Sequence, residues 1–319
     1  MLSTPPAYLR PNHAMHTPKV SIIIVNWNGK HFLEACLRSI VGNTKYPNYE
    51  TVVVDNGSTD GSTEFLEENY PSIKLIRNST NLGFARPNNQ AIEATEGDYV
   101  FLLNNDTEVI DGWLSECVRL AESDPAIGVV GAKVFYMDMK PQYIGDRRIP
   151  HHGLVSKFLI KCEKKRDRIK ETYQIQGAAF LVRREVFTKV GLFDEGFYLY
   201  GEEGDFCCRA RTAGYKIMYN PESRVKHHKS GTSGGDPYYG YFHRMRSRVR
   251  FCLLNFSVAR LLLQVFFEIP IILGALLHGR LPLLLRAYEE NFRDVKEISR
   301  KRRGRKTYTL RPHSLFKLP

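Results

Sequence analysis

Tyr99-Val100-Phe101-Leu102-Leu103 runs without a break into Asn104-Asn105-Asp106-Thr107, an apolar strand that ends in two amides and an acid. A strand that is apolar on both faces must be covered on both faces, the mark of a parallel sheet between helix layers. The same pattern recurs upstream. Val20-Ser21-Ile22-Ile23-Ile24-Val25 leads into Asn26-Trp27-Asn28-Gly29, and Thr51-Val52-Val53-Val54 leads into Asp55-Asn56-Gly57-Ser58-Thr59-Asp60-Gly61. Lys74-Leu75-Ile76 adds another strand. Helical spacing fills the gaps over 30–41 (Phe32, Leu33, Cys36, Leu37, Ile40), 62–69 and 88–95. Strand and helix in alternation predict an α/β fold with a mostly parallel sheet and helices on both faces. In such sheets ligands sit at the carboxyl ends of the strands. Downstream the pattern predicts helices at 113–121, 184–190 and 205–213 and strands at 128–134 and 174–182, while 141–170 is polar, basic and aperiodic.

The chain has 319 residues, enough for one large domain with an appendage. At 43% hydrophobic and 25% charged it is neither wholly disordered nor collagen-like. Its net charge of +12 points to a polyanionic partner: nucleic acid, an anionic membrane or a phosphorylated substrate. Six cysteines, with Cys207 and Cys208 adjacent and no C-x-x-C, make neither a disulfide scaffold nor a zinc ribbon, and fit a reduced compartment. Residues 1–18 are proline-rich with no apolar run, and read as a flexible tail rather than a signal peptide.

Polar residues crowd the strand ends. Turn and cap propensity explains any one of these loops, but not three on the same edge of one sheet. A carboxylate such as Asp55 at a strand end can accept hydrogen bonds from ribose hydroxyls or a base edge. Asp106 offers the hard oxygen chemistry that suits Mg2+ or Mn2+ on a diphosphate. No G-x-G-x-x-G opens the first helix and no G-x-x-x-x-G-K-[ST] occurs, which disfavours dinucleotide oxidoreductases and P-loop ATPases. The acids of Gly201-Glu202-Glu203-Gly204-Asp205 complement a helix N-terminus, and Asp205 to Arg209 is an i,i+4 ion pair. Carboxylates so close also repel one another and can lift one into a general base's range. His227-His228 follows Val225 and, with Asp106, could complete a metal site.

Taken in order, Asp55 to Gly61, Asn81-Leu82-Gly83-Phe84-Ala85, Leu103 to Thr107, Gly177-Ala178-Ala179-Phe180, Gly191-Leu192-Phe193-Asp194-Glu195, the Glu202 to Asp205 acids and His228 resemble the family 2 inverting glycosyltransferases of GT-A fold. The nearest subgroup is the one similar to rhamnosyl- and galactofuranosyltransferases, and the resemblance covers about residues 19–250. It implies that Val25, Asn26, Asp55, Asn81, Asn104 and Asn105 hold a nucleotide-sugar donor, with Asn26 and Asp55 on the nucleoside. It puts Asp106 and His228 on a Mg2+ or Mn2+ ion, Glu203 in the base position with Glu202 and Asp205 as competitors, and Gly177, Ala178 and Ala179 on the acceptor side. Phe197, Tyr198 and Tyr200 could offer sugar-stacking faces or belong to the core. Three residues depart from the family pattern: Asn104 stands for the first Asp of D-x-D, Glu203 for an Asp, and Pro87 where Gly is frequent. The implied reaction is a single in-line displacement at the anomeric carbon.

After about residue 240 the composition changes. Arg244, Arg246, Arg248 and Arg250 precede an apolar tract over 251–285 in which Arg260, Gln264 and Glu268 form a narrow polar stripe and Pro270 predicts a break or a bend. The charges leave no uncharged run of eighteen, so a clean transmembrane helix is not expected, and an interfacial or re-entrant helical pair is preferred to a packed core hairpin. Arg300-Lys301-Arg302-Arg303-Gly304-Arg305-Lys306 would attract an anionic leaflet, and the basic stretch 157–170 adds to that surface. The chain thus divides into a tail (1–18), a catalytic domain (19–240), a membrane-associated helical region (241–299) and a basic tail (300–319). These features place it at the cytoplasmic face of the cell membrane, peripheral or monotopic, acting on a lipid-linked saccharide. The competing readings are a sugar-phosphate nucleotidyltransferase, which lacks its usual Gly-rich opening here, a catalytically impaired membrane scaffold, and a basic nucleic-acid binder. The last leaves the strand-end loops idle, so no nucleic-acid partner is expected.

Overall fold

The computed structural model describes residues 17–142, 167–228 and 236–305. Most of the predicted N-terminal tail, the basic stretch 157–166, the 231–235 loop and the tail beyond 305 lie outside the described residues. The first half alternates as its sequence predicts: β1 (Val20–Asn26), α1 (Lys30–Asn43), β2 (Tyr49–Asn56), α2 (Ser62–Asn69), β3 (Lys74–Asn78), α3 (Ala85–Glu93) and β4 (Tyr99–Asn104). Strands β3, β2, β1 and β4 lie side by side in parallel.

Beyond β4 come β5 (Thr107–Val109), α4 (Trp113–Glu122), β6 (Ile127–Phe135), β7 (Lys170–Glu171), β8 (Ala179–Arg183), α5 (Arg184–Val190), α6 (Glu202–Thr212) and β9 (Lys216–His227). Here the sheet becomes mixed. β8 runs antiparallel between β4 and β6, and β9 pairs parallel to β6 and antiparallel to β5. Side-chain alternation sends Ile22 and Ile24 to one face, with Leu33 and Trp113, and Ile23 to the other, with Phe180 and Phe206. Both faces are therefore dry, which is why the strands read as continuous apolar runs.

The C-terminal region is helical: α7 (Pro237–Asn255), α8 (Val258–Leu277), α9 (Leu281–Arg293) and α10 (Val295–Arg303). Phe251, Leu254 and Phe256 pack with Phe197, Cys208 and Ile298, joining α7 and α10 to the sheet domain. Ion pairs, the Arg250–Asp194 one fully buried, reinforce the joint. Arg250 reaches Asp194 (3.0 Å) and Glu297 (2.8 Å), and Arg246 reaches Glu290 (2.8 Å). Pro270 does not end α8, which continues through it to Leu277. Among the described residues it is the one helix long and apolar enough to cross a membrane. Its amphipathicity is inverted. Gln264 is buried and Glu268 pairs with the buried Arg248, while Leu262, Phe266 and Leu277 are 67%, 70% and 81% exposed.

Candidate active site

The carboxyl ends of β1, β2 and β4 open onto a cleft of about 280 Å3, whose walls include Val25, Trp27, Asn56, Asn81, Asn104, Asn105 and Asp106. Asn26 and Asp55 do not line it. Both are buried beneath its floor, where Asn26 Nδ2 donates to Asp55 Oδ2 (3.3 Å) and its Oδ1 accepts from Asn105 Nδ2 (2.8 Å). Asp55 also accepts the Ser58 backbone N–H (2.9 Å), closing the loop after β2. The pair thus orients Asn105 and that loop from below. Asn56, one residue past the predicted Asp55, is the wall residue. It donates to Asn81 Oδ1 and to the Gly83 carbonyl, each at 2.9 Å.

Gly83 brings two loops together. The Phe84 N–H donates to the Tyr198 carbonyl at 2.7 Å, and a Cβ on residue 83 would come within 2.3 Å of that oxygen. With φ at +82°, only glycine suits this position. The contact carries Tyr198 and Tyr200 into the cleft. Tyr200 itself is held at φ +68°, a conformation bulky residues rarely adopt. Phe197, in contrast, is core: it is fully buried under the Arg250 guanidinium.

The predicted metal residues divide. Asp106 is 1% exposed and lines the cleft, but its imidazole partner is His227, with Nε2 3.1 Å from Asp106 Oδ1. Adjacent residues on an extended chain point to opposite faces. His228 accordingly turns toward Glu108 (3.5 Å) and the Phe32 ring (5.1 Å), and gives Asp106 only its backbone N–H (2.9 Å). This corrects the expectation that placed His228 beside the Asp106 carboxylate. Asn104 Oδ1 is buried and has no hydrogen-bond partner among the described residues. No group of three or more His, Cys, Asp or Glu side chains is placed to hold a metal among the described residues. The donor set is one carboxylate, one imidazole and one amide oxygen. It fits Mg2+ or Mn2+ when a ligand adds further oxygens.

The acidic cluster begins α6, three residues earlier than periodicity suggests, after Gly201 at φ +91°. Glu203 is half-buried, and its carboxylate accepts the Gly201 N–H at 3.2 Å. Burial raises its pKa, an effect opposed by the surrounding backbone amides. Glu202 is buried with Oε2 unpartnered among the described residues, and burial together with the Glu203 charge holds its pKa well above the ordinary value. Asp205 is withdrawn from the base candidates: it is fully buried and bound to Arg209 (2.9 Å), Asn255 (2.9 Å) and Arg305. On the predicted acceptor side, Gly177 faces Glu203, and a Cβ there would sit 3.5 Å from the Glu203 carboxyl carbon. Ala178 and Ala179 are not an open surface. Both are buried, because β8 pairs with β4 through Ala179 and Leu103.

Sequence reasoning missed Tyr239 and Arg244, which α7 brings to the cleft. Arg244 was legible only as the first of a basic run.

Residues 21–191 match the model of a family described as Glycosyl transferase family 2. The chain is 34% identical over 68% of its length to uncharacterized protein y4gI of Sinorhizobium fredii, covering 25% of that protein. It is 31% identical over 69% of its length to the O-antigen biosynthesis protein RfbC of Myxococcus xanthus, covering 18% of it. It thus spans a quarter or less of these two relatives. It is also 27% identical, over 69% of its length and 80% of the relative's, to the N-acetylglucosaminyl-diphospho-decaprenol L-rhamnosyltransferase of Mycobacterium tuberculosis. Among solved structures it resembles GalNAc-T7 with UDP, GalNAc and Mn2+ (TM-score 0.59, 19% identity, 78% of this chain and 50% of that one). It also resembles the mannosyltransferase PcManGT of Pyrobaculum calidifontis in complex with GDP-Man and Mn2+ (TM-score 0.55, 19% identity, 89% and 77%). The shared architecture is the GT-A fold.

Proposed function

Because the chain belongs to glycosyl transferase family 2, we propose that it moves a sugar from a nucleotide-diphosphate donor to an acceptor hydroxyl, with inversion, at a membrane surface. The observation that carries the reading is the convergence of Asp106, His227, Asn104 and Asn105 on one cleft at the strand ends. In this reading Asn105, set by Asn26 and Asp55, and Asn81, set by Asn56, hold the nucleoside end, and Tyr198 and Tyr200 supply faces for rings.

Asp106, His227 and Asn104 would hold a Mg2+ or Mn2+ ion, which supplies positive charge to the leaving diphosphate when bound. Glu203 then acts as general base. Its raised pKa suits taking a proton from the attacking hydroxyl, and the missing side chain at Gly177 leaves room for that hydroxyl. A direct attack opposite the leaving group inverts the anomeric centre.

A lipid-linked acceptor is supported by the outward apolar face of α8 and by the decaprenol-linked substrate in the name of the M. tuberculosis relative. In this reading α8 lies in the interface with its polar stripe against the protein.

The test is a thermal-shift screen of UDP, GDP and dTDP and their sugars with and without Mn2+, followed by NMR of the product's anomeric configuration. One nucleotide should stabilise the wild type and not Asp106→Ala. Absence of any shift on folded protein, or retention of configuration, would overturn the reading.

A further inference from the structure

Arg244, Arg246, Arg248 and Arg250 alternate along the middle of α7, and the structure gives them different tasks. Arg246 pairs with Glu290 of α9 and with Asp294 at the α9–α10 junction, Arg248 with Glu268 of α8, and Arg250 with Glu297 of α10 and Asp194 of the sheet domain. Each thereby fastens one later helix to α7. Arg244 is the exception. Among the described residues it has no carboxylate within ion-pair distance. Its guanidinium lies 5.4 Å from the centroid of the Tyr200 ring, on the wall of the donor cleft that also holds Asp106 and His227.

The cleft needs such a cation. With Asn104 in place of a second carboxylate ligand, the donor set for a divalent ion is electrically light, and a nucleoside diphosphate brings more negative charge than one such ion cancels. An arginine fork can meet phosphate oxygens in pairs, and its charge is permanent. The neighbouring ion pairs fix α7, so the guanidinium is carried on a rigid element and not on a loop. We infer that Arg244 is the diphosphate-binding cation of the donor site, contributed by the C-terminal helical region to the cleft of the sheet domain. The two parts of the chain therefore build one site. This rests on the transferase reading above.

The test is calorimetric titration of the full chain, with Mn2+ present, using UDP, GDP and dTDP and the matching nucleosides, on wild type, Arg244→Gln and Arg244→Lys. Melting curves report whether each variant is folded. Arg244→Gln should bind the preferred diphosphate about 10–100-fold more weakly, consistent with loss of charge-assisted hydrogen bonds. It should leave the nucleoside unaffected. Arg244→Lys, keeping the charge without the fork, should fall between; if Arg244→Gln does not fold, this variant alone must show a diphosphate-selective loss. Equal losses for nucleoside and diphosphate, or no loss, would overturn the inference while leaving the transferase reading intact. If the wild type binds none of these nucleotides, both fall.

Discussion

His227 Nε2 stands 3.1 Å from Asp106 Oδ1, while the adjacent His228 turns away toward Glu108. Neighbouring histidines with identical chemistry therefore have separable roles. His227→Ala should reduce metal-dependent transfer by at least about 10–100-fold, the range seen when groups around a metal are removed. His228→Ala should keep most of the activity. Initial rates against Mn2+ concentration check this, and a larger defect in the His228 variant would refute the assignment.

Glu203→Gln removes the proposed base without changing its shape. The expected loss is about 10²–10⁴ in kcat. Nucleotide affinity should stay within a few-fold of wild type, because the carboxylate faces Gly177 and not the walls of the donor cleft. Since the base must be ionised and burial raises its pKa, the acid limb of the kcat/KM profile should lie above the ordinary glutamate range. Stopped assays across pH, paired with calorimetry on the variant, test both statements.

Glu202 makes a stability prediction of opposite character. Its folded-state pKa lies well above the unfolded value, so the folded chain holds the extra proton. Stability must then fall as pH rises from the ordinary glutamate value through the raised one. Glu202→Gln, permanently neutral, should flatten that fall and be the more stable protein at neutral pH. Urea midpoints compared at about pH 5 and about pH 8 reveal the slope.

What could be read from sequence follows the physics of each signal. The β1 to β4 half was legible because buried strands and amphipathic helices print their periods directly, as at Ile22 to Ile24 and Leu33 to Ile40. The mixed half was legible in part: α4, β6, β8, α5 and α6 lie where their patterns predict them, with shifted ends at β8 and α6, whereas β5 is only three residues long and β9 was passed over. The strand-end loops pointed to the cleft, but which residue of a loop faces it depends on strand phase. That is why Asn56 lines the cleft and its neighbour Asp55 does not, and why His227 and not His228 meets the Asp106 carboxylate. The sequence pairs Asp205 with Arg209 but does not reveal its second cation, Arg305, one hundred residues later. Contacts at that separation leave no local trace.

The outward face of α8 should govern membrane binding. Phe266 and Leu273 are 70% and 53% exposed and share that face. Fully burying such side chains is worth about 1.5–3 kcal/mol each. Phe266→Asp with Leu273→Asp should release the protein from vesicles containing anionic lipid. It should leave nucleotide-induced stabilisation intact, since neither residue touches the cleft. Unchanged vesicle sedimentation would remove α8 from the membrane contact.

The inner face of α8 should behave differently, because Arg248 is 1% exposed and is neutralised by Glu268, which also receives Tyr288 Oη and Gln264 Nε2. Removing only the acid strands a buried guanidinium. Glu268→Ala should therefore cost about 3–5 kcal/mol. Replacing both partners, as Arg248→Met with Glu268→Leu, should cost far less, since two desolvation penalties vanish with the attraction. If so, the pair's value lies in directing which side of α8 meets the protein: without Glu268, only Arg260 and Gln264 would mark the polar side of α8. The double variant should keep near-wild-type chemical stability and near-wild-type donor affinity, because Arg246 and Arg250 still hold α7, the helix that carries Arg244. Chemical denaturation and nucleotide titration on the same samples check both, and a double variant as unstable as Glu268→Ala would contradict the argument.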